Sequence, residues 1–123
     1  MKWHKLGQVY HSEEINRFLL THASNPVAIH LSANIFRVFF SGRDKSNRSS
    51  VGYIDLDIIE KKVINVCQDA IFTFSDGLGS FFSHGVSIGN TYKSGGKTYM
   101  LFMAWQIPKD QHWRGDIGRL LLS

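Results

Sequence analysis

FRVFFSGRDKSNRSSVGYIDLD, residues 36–57, decides the fold of this chain. Two runs rich in β-branched and aromatic residues flank a stretch of Gly, Arg, Asp, Lys, Ser and Asn. Runs of that kind bounded by turn formers read as strands joined by a loop. Working outward, PVAIHL (26–31) and IFRVFF (35–40) are separated by a few small residues, a tight hairpin. KKVINVCQ (61–68) follows SVGYIDLDI (50–58) as a fourth strand. Only EINRFLLTHA (14–23), with apolar residues at 15, 18 and 19, suggests a helical turn.

The plan then returns. HGVSIGNTY (84–92) is a strand, KSGGK (93–97) a turn, and TYMLFMAW (98–105) and DIGRLLLS (116–123) are further strands. YMLFMAW lies over FRVFFSG at an offset of 63 residues, IGRLLL over VGYIDL at 66, and Val86 over Val27 at 59. Longer loops in the second copy, YKSGG and QIPKDQHWRGD, account for the growth. A four-stranded antiparallel unit recurring roughly every 60 residues marks a β-propeller blade. The chain is therefore predicted to be all-β, with blade 1 over about 24–68 and blade 2 over about 81–123. Residues 1–23 would complete a blade or form an interface, and blade 2 lacks its outer strand. Propellers close with about four to eight blades. Two blades are thus expected to recruit copies of the chain, a homo-oligomer giving four blades as a dimer or six as a trimer. A single β-sandwich is the competing arrangement.

The 123 residues, 43% apolar and 13% aromatic, suit one domain with a real core. No stretch is long and apolar enough to span a bilayer. MKWHKLGQVYHSEE (1–14) lacks the apolar core of a secretory signal, so a cytoplasmic location with no membrane partner is expected. The single Cys67 excludes an internal disulfide and a zinc site built from Cys pairs, and reads as a small core residue. The net charge of +4 is spread along the chain. Its densest cluster, GRDKSNR (42–48), reads as a loop, so no nucleic-acid partner is expected. His30 and His112 complete no ligand set, and phosphate loops, dinucleotide fingerprints and nucleophile elbows are absent. GGK (95–97) is a hairpin turn, and DGLG (76–79) reads as a turn. No metal and no cofactor are expected.

Four features carry a family resemblance: HA-x-x-P before the first strand, a small residue plus Arg-Asp after the second, VGYIDLD, and LG-x-F-x-x-x-GV opening the second unit. With them, nearly the whole chain resembles the N-terminal blades of five-bladed β-propeller glycosidase-like proteins, relatives of the fructan- and arabinan-cleaving glycoside hydrolases. The resemblance implies about three further blades in a full-length relative and a central pocket on one face. It implies that His22, Asn25, Arg43 and Asp44 of blade 1 line that pocket, with Ser83, His84, Trp105, Arg114 and Asp116 of blade 2. An ion pair between Arg43 and Asp44 would then orient a sugar hydroxyl.

Glycoside hydrolysis needs two carboxyl groups. Glycosidase relatives carry one where this chain has Asn25, and often have acids where it has FFSHG. Asp44 and Asp116 are the remaining catalytic candidates. Binding needs less: aromatic faces and fixed donors and acceptors. His22, Asn25, Arg43, Asp44, His84, Trp105 and Trp113 are the candidate ligand residues, Trp113 because a Trp in the polar KDQHWRGD loop calls for a contact. The expected function is non-catalytic binding of a carbohydrate or small polar ligand. A glycoside hydrolase active only as an assembled oligomer, or a structural module without a ligand, are the alternatives.

Overall fold

The computed structural model describes residues 1–75 and 80–123, so the expected DGLG turn lies outside the described residues. Seven strands form: β1 (Thr21–Ser32), β2 (Ile35–Arg43), β3 (Ser49–Asp57), β4 (Lys62–Val66), β5 (Gly85–Ser94), β6 (Lys97–Gln106) and β7 (Arg114–Leu122). They make one all-β, mostly antiparallel open sheet, and no described residue is helical. Two antiparallel meanders compose it. Unit 1 is β1–β4 and unit 2 is β5–β7. A single parallel bridge, Ser49 to Gly85, joins them.

Each unit begins with a two-residue hairpin, Ala33-Asn34 in one and Gly95-Gly96 in the other. Both glycines have positive φ, 55° and 73°, as a tight turn between twisted strands requires. These turns pin the register. Ser32 faces Ile35 as Ser94 faces Lys97, and Phe36 faces Leu56 as Thr98 faces Leu122. The second strands therefore correspond at an offset of 62 residues and the third strands at 66. The offset of 63 expected for the second strand is one residue too long, and that of 59 for the first does not fit the hairpin. A one-residue slip moves every side chain to the opposite face. The extra length of unit 2 sits in one place: residues 44–48 link β2 to β3, and the longer 107–113 link β6 to β7.

Corrected for register, the two units stack in the same sense. Phe39 and Val51 on the front of unit 1 pack against Val86, Ile88, Met100, Phe102 and Ala104 on the back of unit 2. The back of unit 1 carries Phe40, Ile54 and Leu56, which correspond to Phe102, Leu120 and Leu122. The front of unit 2 carries Leu101, Ile117 and Leu121, the counterparts of Phe39, Val51 and Asp55, and all three are exposed.

The N-terminal segment covers the back of unit 1. Tyr10, Ile15, Phe18 and Leu19 pack there with Cys67, which is buried as its sequence context suggested. Residues 1–20 add no strand, and among the described residues their only bridge is Asn16 to Leu19. The expected helical turn over 14–23 does not form. Asn16 Oδ1 accepts from the backbone N–H of Phe18 (2.9 Å) and Leu19 (3.2 Å), while its Nδ2 donates to Gln68 O (2.8 Å). A short amide that captures nearby backbone donors offers the chain a turn in place of a helix. Leu19 is thereby driven between the strands, 1% exposed, into a notch where Gly42 and Gly52 have no side chains.

Candidate functional site

A cavity of about 630 Å³ opens where the two units meet, at the end of the sheet away from both hairpins. Its size suits a small-molecule ligand. The start of β1 supplies one wall, and that start is irregular. Its ladder to β2 shifts between Thr21 and Ser24 and again between Ser24 and Val27. His22 and Asn25 adopt φ of 66° and 52° there. Asn and His tolerate this region better than most residues, and bulges commonly re-aim a side chain. Asn25 is turned across to unit 2, where Nδ2 donates to Ser87 Oγ at 2.6 Å. Ser41 Oγ donates to the same oxygen at 3.0 Å, and Ser24 Oγ donates to Ser41 O at 3.2 Å. Ser41 and Ser87 are buried, so this network ties the units together along the cavity lining.

The opposite wall is aromatic. His84 N–H donates to Trp105 O at 2.9 Å, which fixes the first residues of β5 against the end of β6. Trp113 meets Trp105 edge-on, with ring centroids 6.4 Å apart, and meets His84 at 5.7 Å. Trp113 remains 58% exposed although two rings contact it. Ser83 Oγ lies 2.9 Å from His84 Nδ1.

Asn25, Arg43, His84, Trp105 and Trp113 therefore share one cavity. His22 and Asp44 do not line it. The His22 ring turns back to Thr21 Oγ1 at 2.8 Å. Asp44 departs further from expectation, because its partner is Arg48 and not Arg43. Asp44 Oδ1 accepts from the N–H groups of Ser46 and Arg48, each at 2.8 Å, and Oδ2 pairs with Arg48 Nε at 3.1 Å. A carboxylate following the last strand residue closes its own loop because these donors lie within four residues of it. Arg43, freed of that role, lines the cavity, and among the described residues its guanidinium has no side-chain partner.

Asp116 is also engaged locally. It accepts from Gln106 Nε2 at 2.9 Å and pairs with Arg114 Nε at 3.1 Å. The Gln106 hydrogen bond, then Arg114, holds its carboxyl below the ordinary range. Neither Asp44, Asp116 nor Arg114 lines the cavity, so the two acids offered for hydrolysis do not meet there.

Sequence reasoning missed the serines 24, 41, 46, 49 and 87, together with Asn47 and Met103. One signal was present: Ser41 in FFSG and Ser87 in GVSIG interrupt apolar strands where a buried apolar residue is the norm.

No family model matches the chain, and no solved structure matches it. Two curated proteins are similar, "Uncharacterized protein MT1551" of Mycobacterium tuberculosis (strain CDC 1551 / Oshkosh) and "Uncharacterized protein Rv1502" of Mycobacterium tuberculosis (strain ATCC 25618 / H37Rv). Each is 31% identical over 119 residues, covering 96% of this chain and 40% of the relative. The chain thus spans about two fifths of the length of the curated relatives it matches.

Proposed function

We propose that the two units are consecutive blades of a partial β-propeller, and that the cavity between them binds a carbohydrate or related small polar ligand without turning it over. One observation carries this reading. Trp105 and Trp113 meet in the cavity that the hydrogen-bonded Asn25, Ser41 and Ser87 also line. Sugar rings present apolar C–H faces and hydroxyl edges, so aromatic surface opposite fixed donors and acceptors is the complement they need. Titration calorimetry against a panel of mono- and oligosaccharides tests it. Binding that Trp113→Ala weakens supports the reading, and a folded sample that binds nothing in the panel refutes it.

The blade reading draws its support from register. The front of unit 2 repeats the positions that pack unit 1 onto unit 2, yet Leu101, Ile117 and Leu121 are exposed there. Relatives with more than twice the matched length have chain available for such a face. We assign the role of covering it to a second copy. The back of unit 1 is already covered by residues 10–19, so copies would meet through their unit 2 fronts about a two-fold axis. Light scattering across a concentration series tests this, and a monomer throughout refutes it.

A further inference from the structure

Within the ligand-binding reading above, we propose that the cavity is built for an anionic ligand: a hydroxylated ring carrying a carboxylate or phosphate, held at Arg43. The charge on the wall is one-sided. Among the described residues, Arg43 and His84 are the only ionisable groups that line the cavity, and no carboxylate does. A guanidinium without a carboxylate partner is a ready site for an anion. Among the described residues, the geometry leaves this one without a carboxylate partner. Asp44, its chain neighbour, is fully taken up by Arg48 and the loop N–H groups, and Asp116 is taken up by Arg114 and Gln106. Asp44 is thus engaged within its own loop and Asp116 between β6 and β7, while Arg43 stays exposed and lines the cavity.

The polarity of the walls fixes an orientation. Unit 1 contributes Arg43, Asn25, Asn47 and four serines, whereas the side of unit 2 contributes Trp105, Trp113 and Met103 together with His84 and Ser87. A ring lying with its C–H face on the indoles directs an acidic substituent toward Arg43. Guanidinium binds carboxylate and phosphate oxygens through two parallel N–H donors, and such charge-assisted bonds are about twice as strong as neutral ones. Carboxylate and phosphate share this chemistry, so the probes must separate them.

Titration calorimetry with glucuronate, glucose 6-phosphate, methyl β-glucoside and citrate, on the wild type and on Arg43→Gln, tests the proposal. Arg43 is exposed, so its replacement leaves the fold intact. The proposal expects glucuronate or glucose 6-phosphate to bind at least about 10-fold more tightly than the glucoside, with that advantage lost in Arg43→Gln. Which of the two binds identifies the anion. Equal affinity for the neutral glucoside, or an Arg43→Gln variant that binds the acids unchanged, overturns the anion site and leaves sugar binding standing. Arg43-dependent binding of citrate alone sustains the anion site and overturns the carbohydrate reading. No binding by any of the four overturns the anion site.

Discussion

Leu19 and Gly52 form a pair whose coupling can be predicted from distances. Leu19 is 1% exposed and fills the notch on the back of unit 1. A methyl group added at Gly52 would lie 2.7 Å from Leu19 Cδ1, 3.0 Å from Cys67 Sγ and 3.2 Å from Phe40 Cζ. Leu19→Ala leaves a void bordered by two glycines, which have no side chains to relax into it. Its cost should fall near the middle of the usual range, about 3–4 kcal/mol. Gly52→Ala overpacks the notch by about 1–3 kcal/mol, offset by about 0.4–1 kcal/mol from a stiffer unfolded chain. In the double variant the closest of the three contacts disappears, and the new methyl occupies part of the void. Its cost should therefore fall below the sum of the singles by about 1 kcal/mol or more. Urea unfolding followed by circular dichroism measures this. With a slope near 2 kcal/mol per molar, Leu19→Ala moves the midpoint by about 1.5–2 M. Additivity within about 0.5 kcal/mol would falsify the notch. The back of unit 1 would then be open, and the assignment of self-association to unit 2 alone would fall with it.

Four further predictions are independent of that pair. Ile117→Glu, at a site 80% exposed, should leave the monomer folded but abolish self-association in light scattering, whereas a persistent dimer rejects the unit 2 interface. Arg37 donates to both oxygens of buried Asp55 (2.8 and 3.0 Å), and this pairing holds the carboxyl below its ordinary 3.8. The stability gained is complete above that value and lost as pH falls through it toward the lower folded value, so the urea midpoint should drop below about pH 4. Asp55→Asn should flatten that drop, and an unchanged acid slope rejects the assignment. Asp44→Ala removes three loop hydrogen bonds and should cost about 1.5–3 kcal/mol without weakening ligand binding more than the lost stability explains. Ser50 Oγ is buried without a partner among the described residues, so Ser50→Ala should be neutral or stabilising by up to about 1 kcal/mol, and a clear loss would reveal a bond.

The strands were legible in the sequence because β-branched and aromatic runs broken by Gly, Asn and Ser leave little choice. The two-unit plan was legible too, but its register was not. Aligning FRVFFSG with YMLFMAW matches bulky residues to bulky residues, and both faces of these strands are apolar, so a one-residue slip costs nothing on paper. Only the hairpins, two residues in each unit, fix the offset at 62. The 14–23 segment misled for a different reason. Apolar residues at 15, 18 and 19 have helical spacing, but they are spaced to reach Phe40 and Cys67 from a turn that Asn16 holds. Five of the seven ligand candidates meet because they sit at corresponding strand ends, a position that topology dictates. Asp44 escaped because the direction of a carboxylate in a short loop depends on which backbone N–H groups the loop turns toward it, and composition does not reveal that.

The two ends of this sheet differ in how freely they can change length. At the hairpin end, a one-residue slip would turn the first strand of the unit face for face against the second and disturb the stack of unit on unit. At the cavity end, residues 44–48 and 107–113 already differ in number, and the stack is intact. A change of loop length at the cavity end should therefore reshape the mouth while the core stays put, whereas one at the hairpins should disturb the core.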